Sequence, residues 1–195
     1  MSVAKLKSLK RNNAKSLRAD AHLKGSVEAS HKISNHIIKF LITRPEIKVV
    51  ALYRPIQTEI DIRPVESKIR NLGKTLCLPV IISENEPLDF IIWNENVSLV
   101  EGRFKVQIPL ASEIIEPDLI LCPMLSFDLM GYRLGYGGGF YDRTIDLLEK
   151  KKPIFTLGCA YSQQVSVKRL PIDKYDKPLD GVVTECGMIF FNSGQ

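Results

Sequence analysis

Long apolar runs, paired cysteines and histidine are all scarce in this 195-residue chain. No apolar stretch approaches the roughly 20 residues that a membrane-spanning helix needs, so no membrane partner is expected. Cys77, Cys122, Cys159 and Cys186 stand far apart without a Cys-x-x-Cys pair, and the three histidines (His22, His31, His36) lie elsewhere, so a zinc site is not expected. Cys77, Cys122 and Cys159 fall in apolar runs that read as strands, which fits buried thiols in a reducing cytosol; a cytoplasmic location is expected. The first residues are basic and lack a long apolar segment, so no secretory leader is expected. No internal repeat, low-complexity tract or linker divides the chain, and no Ser-His-Asp or Cys-His set stands out.

Apolar side chains make up 45% of the residues, enough for one compact domain over 1–195 with a substantial core. The net charge of +5 is uneven: residues 1–24 carry Lys5, Lys7, Lys10, Arg11, Lys15, Arg18 and Lys24 against Asp20 alone, a net of +6 that leaves −1 for the remainder. Such a segment reads as an organellar presequence, a nucleic-acid arm, a helix supplying cations to a phosphate, or a solvated basic face. It contains no Phe, Tyr or Trp. Binding to single-stranded nucleic acid draws on aromatics interleaved with basic residues, so no nucleic-acid partner is expected.

Residues 3–24 read as a basic helix. A second helix starts near Ser26 as N-cap, with Val27, Ile33, Ile37, Ile38 and Leu41 on one face, and Pro45 closes it. Residues 47–53 form a β-branched apolar run and so a buried strand. A helix over 62–72 ends at Gly73, and a short strand over 75–78 follows. Residues 88–92 alternate weakly, 119–122 read as a buried strand, and 144–150 as a helix. Strands over 154–161, 182–184 and 188–191 complete the pattern. Strands alternating with helices predict an α/β fold: a single domain with a mainly parallel central sheet flanked by helices, Rossmann-like, with ligands beyond the carboxyl ends of the strands.

The loop after Cys122 lies at such an end, and it holds the most informative residues. Five of the 12 glycines fall between Gly131 and Gly139, in the run Gly131-Tyr132-Arg133-Leu134-Gly135-Tyr136-Gly137-Gly138-Gly139-Phe140-Tyr141-Asp142-Arg143. Glycines let backbone N–H groups converge on an anion, arginines add charge-assisted bonds to phosphate, and an aspartate can hold the magnesium that accompanies a nucleotide. The run reads as a polyphosphate cradle with a metal carboxylate. It is neither a P-loop, lacking Gly-Lys-Ser/Thr, nor the dinucleotide fingerprint, since Phe140 stands at the third glycine position.

From Pro123-Met124-Leu125-Ser126-Phe127-Asp128 through Arg143, the segment resembles the signature of the 5-formyltetrahydrofolate cyclo-ligase family, also called 5,10-methenyltetrahydrofolate synthetase. The resemblance extends to Tyr53-Arg54-Pro55-Ile56-Gln57-Thr58-Glu59-Ile60-Asp61, to Leu78-Pro79, to residues 104–109, to Pro178-Leu179-Asp180 and to Thr184-Glu185, in the family's order. It implies a cyclo-ligase fold of isomerase–CoA-transferase-like type. It also implies conversion of 5-formyltetrahydrofolate to 5,10-methenyltetrahydrofolate with ATP and Mg2+, through a phosphorylated formyl group, by a monomer.

The resemblance assigns ATP contacts to Lys7, Arg11, Arg133, Leu134, Gly135, Tyr136, Gly137, Gly138, Gly139, Phe140 and Tyr141. Arg133 and Tyr141 would be catalytic. Arg54, Glu59, Phe104 and residues 136–140 would meet the reduced folate, and Asp142 and Asp180 would hold magnesium. Asp128 is expected to shape the loop. Lys105 stands where a small residue is usual. In the N-terminal element, Lys7 and Arg11 keep the family's Lys-to-Arg spacing and Arg18 suits a later Arg, while Lys15-Ser16-Leu17-Arg18 offers a second register. Helical i, i+4 spacing favours Lys7 and Arg11 on one face. Two rivals stand beside this reading: a different sugar-phosphate or acyl-transfer enzyme on a related sheet, and a non-catalytic nucleotide- or RNA-binding module.

Overall fold

The computed structural model describes residues 1–191; positions 192–195 of the expected domain lie outside them. Helix α1 (Val3–Ile42) opens on Ser2, whose side chain accepts from Lys5 N. The two helices expected here are one run broken at Gly25, where φ is 176° and ψ 42°. Beyond the break, Ala29, Ile33, Ile37 and Leu41 face the core, whereas Val27, expected on that face, is exposed. Before it, Ala14, Arg18 and Ala21 are buried at helical spacing. The basic segment is therefore no freely solvated face: it presses one edge against the body of the protein.

The remaining elements form a seven-stranded sheet with two satellites. Strand β1 (Val49–Ala51) is shorter than the expected run, though Leu52 N still donates to Cys77 O beyond it. A 3-10 turn (Arg63–Val65) leads into α2 (Glu66–Asn71), together covering the helix expected over 62–72. Then come β2 (Thr75–Val80), β3 (Asp89–Ile92), the hairpin β4 (Leu99–Glu101) and β5 (Gln107–Pro109), and β6 (Leu119–Pro123). Next are β7 (Ser126–Asp128), β8 (Arg133–Leu134), α3 (Phe140–Glu149), β9 (Phe155–Cys159), β10 (Val165–Ser166), β11 (Gly181–Thr184) and β12 (Gly187–Phe190). Helix α3 starts four residues before the expected 144, so Phe140–Arg143 are its first turn rather than loop.

The large sheet runs β12-β11-β9-β6-β1-β2-β3. Its neighbours from β11 to β2 are parallel, and β12 and β3 close the two edges antiparallel. Alternation along β6 sorts its side chains by face: Leu119 and Leu121 join the core beneath α1 and α2, Ile120 and Cys122 the core beneath α3. From β1 the chain moves outward to β2, then returns to the other side of β1 as β6 and continues to β9 and β11. The order reverses between β1 and β6, so their carboxyl ends open a crevice of the kind where such sheets bind ligands. The loops leaving those two ends carry Tyr53 to Asp61 and Met124 to Gly139.

Strands β7 and β8 of the second loop form a small sheet with β10, which follows β9. The turn between β7 and β8 contains Gly131 at φ +86°, where an added Cβ would lie 2.9 Å from Leu179 O and 3.0 Å from the Phe191 ring. Gly131→Ala is expected to destabilise the protein by about 1–3 kcal/mol in urea denaturation. At Gly135 an added Cβ meets nothing within 4 Å. Gly135→Ala should therefore stay within about 0.5 kcal/mol of the parent.

Candidate active site at the sheet switch point

The N-terminal half of α1 delivers three cations to the crevice, at Lys7, Arg11 and Arg18. Lys7 Nζ donates to Asp173 Oδ2 and Asp176 Oδ1, both at 2.7 Å. Burial opposes its charge, but these two carboxylates outweigh it and hold the ammonium pKa above its ordinary value. Arg11 Nε donates to Gly135 O at 2.9 Å, and its guanidinium carbon lies 3.2 Å from where a Cβ on Gly137 would stand. Gly137, at φ +107°, thus admits Arg11 against the loop backbone.

Arg18 is 1% exposed and touches every wall of the crevice. Its Nε donates to Thr58 Oγ1 at 3.1 Å, its Nη1 to Met124 O at 3.3 Å, and its Nη2 to the Tyr136 hydroxyl. Nη1 also lies 3.6 Å from Glu59 Oε1, and the guanidinium carbon 5.4 Å from the Tyr136 ring centroid. The sequence offered Arg18 only as a later arginine of the N-terminal element; its full burial had no local signal, because its partners come from loops 40 to 118 residues away.

Opposite α1, the glycine run ends on Gly139, a left-handed residue that starts α3 with no side-chain cap. The first-turn N–H groups of α3 and the positive end of its dipole are therefore open to an anion. Arg133 from β8 donates through Nη2 to Asp142 Oδ1 at 2.8 Å and through Nη1 to Lys177 O at 2.9 Å. Asp142 Oδ1 also accepts from Lys177 N at 3.1 Å. Asp142 sits in the first turn of α3 and turns to Arg133 instead of capping the helix. Tyr141 is half-buried with a phenol pushed well above its ordinary pKa by burial, so it stays protonated and able to donate. Leu134 is buried, while Tyr136 and Gly138 lie towards the surface. Phe140 lies beneath the Arg143 guanidinium, 5.1 Å from ring centroid to guanidinium carbon. Asp128 organises this loop, accepting from Met130 N, Tyr132 N and Leu170 N.

Asp180 accepts from Thr156 N at 2.7 Å and Thr156 Oγ1 at 2.8 Å, both through Oδ2. Burial pushes the Cys122 thiol up to about 12; Arg133 opposes that rise, and Asp142 and Asp180 add to it. Asp180 itself lies level with Thr156, which pairs with Ile120 in the amino half of β6. Asp142 Oδ2 and Asp180 Oδ1 each keep free of protein hydrogen bonds among the described residues. No cluster of three or more metal-type ligands occurs among those residues. Each free carboxylate oxygen is of the hard-oxygen kind that Mg2+ takes, with phosphate and water able to complete its octahedron.

On the other wall, Glu59 is 5% exposed. Its Oε2 accepts from Ile56 N at 2.9 Å. Burial raises its pKa to about 7, against the pull of the Ile56 N–H and Arg18. Arg54 is turned towards Glu66, with which it pairs, and stacks 4.4 Å from the Trp93 ring centroid. Phe104 stands apart at the tip of the β4–β5 hairpin, 68% exposed at φ 55°, with Lys105 beside it at φ 58°. The structure thus brings Arg11, Arg133, the glycine run, Glu59 and Asp142 together beyond the carboxyl ends of the switch-point strands, ties Lys7 to Asp173 and Asp176 ahead of β11, sets Asp180 beside Thr156 at the amino end of β11, and leaves Phe104 on the β4–β5 hairpin.

Fold and site together define an α/β protein whose switch point is built from a glycine loop, an open helix N-terminus and converging arginines, an arrangement suited to anionic ligands. The sequence model of the 5-formyltetrahydrofolate cyclo-ligase family matches residues 3–185, and the chain belongs to that family. The 5-formyltetrahydrofolate cyclo-ligase of Escherichia coli K12 is 35% identical over 144 residues, covering 69% of this chain and 76% of that protein. The enzyme of the same name from Mycoplasma genitalium is 33% identical over 164 residues, covering 80% and 86%. The solved 5,10-methenyltetrahydrofolate synthetase of Aquifex aeolicus superposes with a TM-score of 0.69 at 32% identity, covering 93% of this chain and 94% of that one. The chain is an enzyme of this family. No helix among its described residues is long and apolar enough to cross a membrane.

Glu59 gives the site a measurable pH signature. Its folded pKa of about 7 exceeds its ordinary value of 4.5. Between those values the folded state binds more protons than the unfolded state, so this group favours folding at acid pH and the contribution is lost as pH rises through 7. Glu59→Gln removes the loss. The variant's stability relative to the parent should rise by on the order of 1–3 kcal/mol between about pH 5 and about pH 8 in urea titrations. A difference that stays flat with pH would contradict the assignment.

Proposed function

We propose that this enzyme converts 5-formyltetrahydrofolate and MgATP to 5,10-methenyltetrahydrofolate, ADP and phosphate, as a single cytoplasmic domain acting as a monomer without nucleic-acid or membrane partners. The observation that carries the ATP-dependent reading is the convergence of Arg11, Arg133 and the open N-terminus of α3 around the glycine run, across the crevice from buried Glu59. One wall presents donors and cations for a polyphosphate. The other presents a carboxylate for the N–H donors of a reduced pterin.

A formyl oxygen on nitrogen is a poor leaving group, so the reaction needs it converted to a better one. In this reading the formyl oxygen attacks the γ-phosphorus and the bond from that phosphorus to the bridging oxygen breaks, releasing ADP. The formyl carbon is then an iminium phosphate. The neighbouring folate nitrogen attacks that carbon and loses its proton, the carbon–oxygen bond breaks, and phosphate departs with the former formyl oxygen. Catalysis of this kind rests on alignment and charge neutralisation more than on a protein nucleophile.

Arg133, held by Asp142 and the Lys177 carbonyl, offers a fixed guanidinium to the transferring phosphoryl group. The amides of residues 137–139 and the first turn of α3 surround the same charge. The Tyr141 phenol, protonated throughout the working range, donates to phosphate or formyl oxygen. Lys7 and Arg11 hold the nucleotide from α1. Asp142 and Asp180 would hold Mg2+, which supplies charge neutralisation between the β- and γ-phosphates when bound. Leu134, Gly135 and Tyr136 extend the nucleotide wall. Glu59 and residues 136–140 are assigned to the folate side; Arg54, paired with Glu66, and Phe104, on the β4–β5 hairpin, would have to turn towards it to join them.

The test mixes the protein with 5-formyltetrahydrofolate, Mg2+ and ATP, and follows the near-ultraviolet absorbance of the methenyl product together with ADP. Equal amounts of both are expected. Arg133→Ala should lower kcat by about 10^2–10^3-fold, the scale of a lost transition-state donor, and Asp142→Ala should abolish activity with the fold retained. Nucleotide binding without product in the unaltered protein would sink the folate assignment and favour a nucleotide-binding module.

A further inference from the structure

Arg18 is the most deeply buried charge in the crevice, and the mechanism above leaves it without a role. At 1% exposure it is shut away from the space a substrate could fill. Its guanidinium instead makes three hydrogen bonds and one ion pair with protein groups on three segments. These are Thr58 and Glu59 from the loop after β1, Met124 O from the exit of β6, and Tyr136 from the glycine run. A lysine could not make this set, because an ammonium lacks the planar fork. The Arg18 guanidinium ends beside the two groups assigned to the folate, Glu59 and Tyr136.

We infer that Arg18 is a positioning residue that holds Glu59 by its guanidinium and aims Tyr136 at the reduced folate, tying the folate wall to the nucleotide loop. The inference rests on the reading of Glu59 as the folate-contacting carboxylate. The charged and titratable groups around Glu59 are few. Arg18 reaches it from α1, Tyr53 from the end of β1, Tyr136 from the glycine run and Tyr141 from α3. Lys15 lies 6.0 Å above the Tyr136 ring. All three phenols are raised from their ordinary value by burial, so none titrates near neutrality and Arg18 is the single cation paired with Glu59 among the described residues. Removing that cation leaves a buried carboxylate opposed by burial and supported only by the Ile56 N–H, which favours its neutral form at neutral pH. A protonated Glu59 presents a donor where the pterin also presents donors.

Kinetics separate this role from packing. Arg18→Gln should move the acid limb of kcat/KM for 5-formyltetrahydrofolate to higher pH by about one unit or more, with activity partly recovered at alkaline pH. The KM for ATP should stay within about twofold. Arg18→Lys should keep the limb close to its parental position and raise the folate KM about tenfold, the charge being retained but the fork lost. The same change in the Glu59→Gln background should give no shift of the limb. If Arg18→Gln does not fold, Arg18→Lys decides: folate KM raised alone supports the inference, and folate and ATP KM raised together overturn it. A limb that does not move in folded Arg18→Gln also overturns it. If Glu59→Gln itself keeps the parental limb and folate KM, the underlying reading of Glu59 fails, an outcome visible without any Arg18 variant.

Discussion

A guanidinium removed from water must find its hydrogen bonds and countercharge inside the protein, and Arg18 finds them only where α1, the two switch-point loops and the glycine run meet. That requirement organises the crevice. The helix cannot slide along the sheet without stranding a buried charge, so Lys7 and Arg11, eleven and seven residues earlier in register, are held at the mouth of the site. The same contact sets the electrostatics of the folate wall. Glu59 is deep enough that burial raises its pKa to about 7, and its countercharge is the group that fixes the helix.

The opposite wall follows a different rule. Arg133 and Asp142 are paired, with Lys177 closing the triad through its backbone, so the arginine proposed to face phosphate is oriented by protein contacts alone. Gly137 and Gly139 take left-handed conformations that bring loop backbone close to Arg11 and open the N-terminus of α3. Cations, helix dipole and glycine backbone are preorganised in one place, as phosphoryl transfer favours. Lys7 is clamped by Asp173 and Asp176, so in the proposed role its ammonium would be shared between nucleotide and two carboxylates.

Much of this was legible in the residues. The parallel core strands read as β-branched apolar runs, and the glycine-arginine-aspartate run marked the phosphate wall because each residue type there has a local reason. The hairpin carrying Phe104 and the small sheet of β7, β8 and β10 were not legible, since strands of two or three residues carry no periodicity. The start of α3 was read late because Gly139 ends a glycine run and no Ser, Thr, Asp or Asn marks the cap. The clamp on Lys7 and the burial of Arg18 come from contacts distant in sequence, which no local pattern encodes, and the Asp142–Arg133 pair, nine residues apart, needs the turn from β8 into α3.

The central claim is that ATP activates the formyl oxygen itself. The most direct measurement places 18O in the formyl group of 5-formyltetrahydrofolate, runs a single turnover with MgATP and analyses the released phosphate by mass spectrometry. The account predicts that the label appears in inorganic phosphate, because that oxygen attacks the γ-phosphorus and leaves with it. Label found in water, with unlabelled phosphate, would contradict it and make ATP hydrolysis a separate event from ring closure.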